Sequence, residues 1–147
     1  MKLLGSLLLM SAVLLASTGA YAASGVWCDA EDGNLAFHFQ AASSRDGTGD
    51  WFNVTGSLKL KGTNLPANLA KVTIADSNLS EHWWDDKDVR LKIDKIGTEA
   101  QNFAAVQLTS IAITDGEDGY RGRYDLRLTQ PDATIIHKDG AVTCSAD

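Results

Sequence analysis

The segment Ser80-Glu81-His82-Trp83-Trp84-Asp85-Asp86-Lys87-Asp88 gathers the side chains best suited to recognition. On an extended chain, neighbouring side chains leave on opposite sides, so Trp83 and Trp84 cannot both enter one core. One indole is therefore expected at the surface beside Asp85 and Asp86. Exposed aromatics flanked by polar groups are what protein and sugar ligands dock against. A structural reading competes: one Trp plugs the open end of the core and the other lies flat over it. Trp51, beside the acidic Gly-rich stretch Arg45-Asp46-Gly47-Thr48-Gly49-Asp50, is a further candidate of the same kind. Trp27, next to Cys28, reads as core.

Metal and catalytic chemistry find less support. Asp46 with Asp50, or Asp115 with Glu117 and Asp118, offer the hard oxygen ligands that Ca²⁺ takes. They match no specific calcium spacing, and Asp beside Gly is ordinary turn chemistry. His38, His82 and His137 fall one to a segment, without the close spacing usual in zinc or copper sites. There is no G-x-S-x-G elbow, no H-E-x-x-H and no phosphate loop. No catalytic residue, metal or cofactor is assigned on these grounds. Arg121, Arg123 and Arg127 alternate along one strand, which places three guanidinium groups on one face with Asp125 among them. Such a stripe suits either an anionic partner or cross-strand pairing with acidic neighbours.

The elements that must hold these groups are strands. Leu35, Phe37, Phe39 and Ala41 alternate with polar or small residues, the period of a half-buried strand. From Phe52 to Lys61, Phe52, Val54, Leu58 and Leu60 share one parity. Further runs carry Ala70, Val72 and Ile74, then Val89, Leu91 and Ile93, then Tyr120, Tyr124, Leu126 and Leu128. Val106 and Leu108 differ in parity from Ile111 and Ile113, which predicts a bulge or bend at Thr109-Ser110. Asp32-Gly33 and Asp139-Gly140 read as tight hairpins. Leu65-Pro66 ends the strand before it, and Leu65 to Leu69 or Glu81 to Asp85 has room for at most one helical turn. About eight short strands argue for an all-β fold, an antiparallel β-sandwich with a small β-barrel as the alternative.

The ends of the chain bear on compartment. Met1-Lys2, the apolar run Leu3–Leu15 and Ala20-Tyr21-Ala22 resemble a cleavable signal peptide over residues 1–22, leaving 23–147 as one domain. The apolar run is shorter than the roughly 20 residues of a membrane span. Losing Lys2 takes the formal charge from −6 to about −7. An acidic balance argues against nucleic acid as partner, because its binders present basic surfaces. Export makes a disulfide the default for the two cysteines, Cys28 and Cys144, tying the first strand to the last.

Together these features predict a periplasmic or secreted non-catalytic module that binds another envelope or extracellular protein. Its binding residues would be Trp83, Trp84, Asp85, Asp86 and Trp51. A carbohydrate-binding or glycan-processing domain that stacks sugars on exposed Trp is the rival from another class. A purely structural envelope protein is the third.

Overall fold

A computed structural model describes residues 24–44, 50–62, 64–97, 104–116 and 119–147. The expected signal segment and most of the two acidic loops considered for Ca²⁺ lie outside these residues. The strands are β1 (Ser24–Glu31), β2 (Leu35–Ser43), β3 (Trp51–Leu60), β4 (Lys71–Ala75), β5 (Leu79–Trp84), β6 (Asp88–Ile96), β7 (Ala105–Thr114), β8 (Gly119–Thr129) and β9 (Ile135–Ala146). One helical turn, α1 (Ala67–Ala70), follows Pro66, and a 3-10 turn, Asp76–Asn78, joins β4 to β5.

The fold is all-β and antiparallel, as the alternating runs predict. The nine strands form a single sheet, ordered β4-β3-β2-β1-β9-β8-β7-β6-β5, which curls nearly into a barrel. Every pairing in it is antiparallel, so β4 and β5 at its two ends run in the same direction. They are therefore two halves of one broken strand, β4 paired to β3 and β5 paired to β6. The 3-10 turn holds the break together. Asp76 Oδ1 accepts from the Val54 amide at 3.2 Å, Asn78 Oδ1 from the Ala75 amide at 3.1 Å, and Asn78 Nδ2 donates to the Asp94 carbonyl at 3.3 Å. Counted this way the ring has eight positions, a number at which side chains alone can fill the interior.

Inward positions form one core that includes Phe37, Phe39, Trp51, Leu58, Leu91, Leu108, Tyr124 and Leu126. Leu65 and Leu69, before and within α1, are buried with it. The disulfide is present: Cys28 and Cys144 face each other in the β1–β9 register, 4.1 Å apart at Cα. It pins the first strand to the last where they meet, across 116 residues of sequence.

Four expectations are corrected. The bulge lies in β3, not β7: Asn53 has φ 53°, and the β2–β3 register shifts between Gln40 and Ala42. Asn tolerates this left-handed conformation better than most residues. The shift turns Trp51 inward and Phe52 outward, against the expected parity. Strand β7 is regular through Thr109-Ser110, with Ser110 and Ala112 continuing the buried face, so Ile111 and Ile113 stand outside. Asp139-Gly140 is no hairpin but lies within β9, where Gly140 pairs with Tyr124. A Cβ at Gly140 would meet Asp32 Oδ2 at 2.2 Å and the Tyr124 ring at 2.5 Å, so the glycine serves close approach rather than turning. Finally, Trp27 is on the outer face, half-buried and laid over Gly25.

Candidate functional site

Strand β5 is the element that sequence alternation does not reveal, and it is extended where a helical turn is the sequence alternative at Glu81 to Asp85. Only its end residues, Leu79 and Trp84, are even half-buried, and the four between them are exposed. It is an outermost strand of the sheet, paired on one side to β6. The turn that follows is short. Asp85 Oδ1 accepts from the amides of Lys87 at 2.8 Å and Asp88 at 2.9 Å. Those donors, Asp88 foremost, hold the Asp85 carboxyl below its ordinary range. Asp85 thus does turn chemistry. Asp86 is exposed beside it.

The two indoles separate as strand geometry requires. Trp84 packs against the core, and its Nε1 donates to Tyr120 Oη at 2.9 Å. Tyr120 Oη in turn donates to the Asp85 carbonyl at 3.0 Å, which ties the hairpin turn to β8. Trp83 faces out, 56% exposed. Trp51, expected at the surface, is only 8% exposed and lies between Phe39 (ring centroids 5.6 Å) and His82 (5.0 Å). The bulge at Asn53 explains the difference, because it flips the face that Trp51 presents.

Trp83 belongs to a wider surface. The sheet register sets Trp83 opposite Arg90, Arg90 opposite Ile111, and Ile111 opposite Arg123. One step along, Ile113 is opposite Arg121. Ile111 and Ile113 are 47% and 61% exposed. Together with Trp83 they make apolar ground interrupted by three guanidinium groups. A shallow groove of about 450 Å³ runs over Ile111, Ile113, Arg121 and Arg123. Trp and Arg are the residue types that dominate binding energy at protein interfaces.

Neighbouring carboxylates orient the arginines. Arg90 Nη2 lies 2.7 Å from Asp88 Oδ2, Arg121 Nε lies 2.9 Å from Asp115 Oδ2, and Arg123 bonds Asp139. All three pairs are exposed, so each adds little to stability. They hold the stems in place along the sheet, and long apolar stems add contact area of their own. Of the β8 stripe, Arg123 pairs across strands with Asp139 of β9, as one of its two readings expects, and Arg121 pairs with Asp115 in the β7–β8 turn. Residue alternation reveals the stripe, whereas its joining to Ile111, Ile113 and Trp83 depends on strand order.

The remaining sites offer less chemistry. Among the described residues, no three His, Cys, Asp or Glu side chains converge as a metal would require. Among the same residues, no helix is long and apolar enough to cross a membrane. No family model matches the chain, and no curated protein or solved structure matches it.

Proposed function

We propose that the protein is an exported, non-catalytic binding module that recognises another protein of the envelope or extracellular space. The observation that carries this reading is the outer face of β5 to β8, where exposed Trp83, Ile111 and Ile113 are interleaved with Arg90, Arg121 and Arg123. Solvent-facing positions of a sheet are ordinarily polar, and three large apolar side chains set among arginines match the composition of interface cores. The face is on paired strands rather than loops, so binding it costs little ordering. Export is supported by the Cys28–Cys144 bond, since disulfides persist mainly in oxidising compartments.

The glycan reading loses two of its three platforms, because Trp51 is buried and Trp84 packs against the core. Trp83 alone remains for that role as an exposed indole. The test is retention from envelope and culture-medium extracts on immobilised protein, run in parallel with Trp83→Ala and Ile111→Asp. The proposal expects one protein held near stoichiometrically by the wild type and lost from both variants. Retention that both variants preserve would remove the face from the account. Retention of glycans alone would transfer the role to the carbohydrate reading.

A further inference from the structure

A second patch lies on the outer face of β1 to β4, away from Trp83. The register lays out two rows across these strands. Asp29, His38 and Ser57 form one, and Glu31, Ala36, Lys59 and Lys71 the other. Ala36 is the one short apolar side chain among them, and the surface dips there. The result is a hollow of about 460 Å³ bordered by His38, Ser57, Lys59 and Lys71.

Lys59 and Lys71 are direct cross-strand partners. Like charges placed opposite each other destabilise a sheet when nothing lies between them. The two acids at the hollow do not relieve this pair. Asp29 Oδ1 is 2.7 Å from His38 Nδ1, and Glu31 Oε1 is 3.6 Å from Lys61 Nζ. Among the described residues, neither Lys59 nor Lys71 has an ion-pair partner. Asp29 accepts from the Nδ1–H of His38, so His38 borders the hollow without being one of its donors.

We infer that this hollow is an anion site that takes a phosphate group, held between the ammonium groups of Lys59 and Lys71 with the Ser57 hydroxyl as a further donor. An ammonium binds phosphate as a point charge and needs no fixed approach direction, which suits two flexible stems on a sheet. A phosphate dianion matches two cations and offers several acceptor oxygens to the hydroxyl and the ammonium groups. A monocarboxylate carries half that charge. The site lies on other strands than the Trp83 face and stands independently of the partner proposed there.

The experiment is a ¹⁵N-resolved titration of the full protein at fixed ionic strength, with sodium chloride as the reference. Inorganic phosphate and glycerol 3-phosphate are the two phosphate probes, and acetate is the contrast. Saturable shifts at Ser57, Lys59 and Lys71 are expected with phosphate and not with acetate. A stronger response to glycerol 3-phosphate would assign the site to phosphomonoesters, and a stronger response to the free ion to inorganic phosphate. Lys59→Ala and Lys71→Ala should each weaken binding about tenfold, the loss of one charge-assisted contact. Both lysines are exposed, so both variants should fold. Without phosphate, Lys71→Ala should melt above the wild type because the repulsion is gone, and saturating phosphate should erase that advantage. An absent saturable shift, an equal response to acetate, unchanged affinity in both variants, or a Lys71→Ala that melts lower without phosphate would each overturn the assignment.

Discussion

The adjacent residues Trp83 and Trp84 differ in what their removal should do. Trp83→Ala deletes an exposed indole, so its melting temperature should stay close to the wild type while partner binding falls. Trp84→Ala removes core packing and the donor to Tyr120, and should cost about 2 kcal/mol in denaturant unfolding. A stability loss from Trp83→Ala as large as that from Trp84→Ala would mean the two roles are assigned wrongly. A second residue-scale feature is Tyr124, buried opposite Gly140, whose hydroxyl donates to Asp32 and accepts from Asn34 Nδ2 at 3.3 Å. Burial, reinforced by the donation to Asp32, pushes the phenol up to about 12 from an ordinary 10.0. Burial alone would raise the Asp32 carboxyl, but hydrogen bonds from Tyr124 and from the amides of Asn34 and Leu35 outweigh it and lower it below 3.8. A phenol raised in the folded state gives stability that is whole below pH 10.0 and lost as pH climbs towards about 12. Asp32 works in the opposite sense, its contribution present above pH 3.8 and lost as pH falls through its lower folded value. Tyr124→Phe should therefore cost about 1–2 kcal/mol near neutrality and flatten the alkaline limb of the melting curve against pH. An unchanged alkaline limb would contradict the assignment.

At the scale of the element, the bulge in β3 decides which aromatic is core and which is surface. Asn53→Gly should be nearly neutral. Asn53→Val forces a β-branched residue into φ 53° and should cost about 1–2 kcal/mol, read by chemical unfolding. Equal stability of the two variants would remove the bulge as the cause. The same strand shows what alternation can and cannot convey. Where the ladder is regular, as in β8, the sequence pattern names both the buried Tyr124, Leu126 and Leu128 and the outward arginines. In β7, the isoleucines mimic a change of parity, because large apolar residues suggest burial. They stand outside on an unbroken strand. Strand β5 is hidden for the opposite reason, since an outermost strand with both faces largely exposed leaves no alternation to read. Asp139-Gly140 carries a turn signature, but the glycine is there for the Tyr124 ring lying against it. Of the surface proposed for binding, the exposed Trp and the arginines were legible from residue type. Their meeting with Ile111 and Ile113 was not, because that depends on long-range register.

At the scale of the whole molecule, one covalent bond fixes the junction of β1 and β9, and polar contacts around Asp76–Asn78 hold the break between β4 and β5. The loop-entropy account gives the disulfide about 5 kcal/mol at most, against a total of about 5–15 kcal/mol for an ordinary domain. Reduction should therefore lower the denaturation midpoint sharply, and a midpoint unmoved by reductant would show that the bond does not govern stability. Such a stapled scaffold keeps the β5 to β8 face in register, and that face is the centre of the functional account. The most direct test is the affinity of the partner retained from envelope or medium extracts, titrated against the wild type, Ile111→Asp and Lys59→Ala. The account predicts at least a tenfold loss for Ile111→Asp, placed in the middle of the face, and none for Lys59→Ala on the far strands. Equal affinity of the wild type and Ile111→Asp would contradict it.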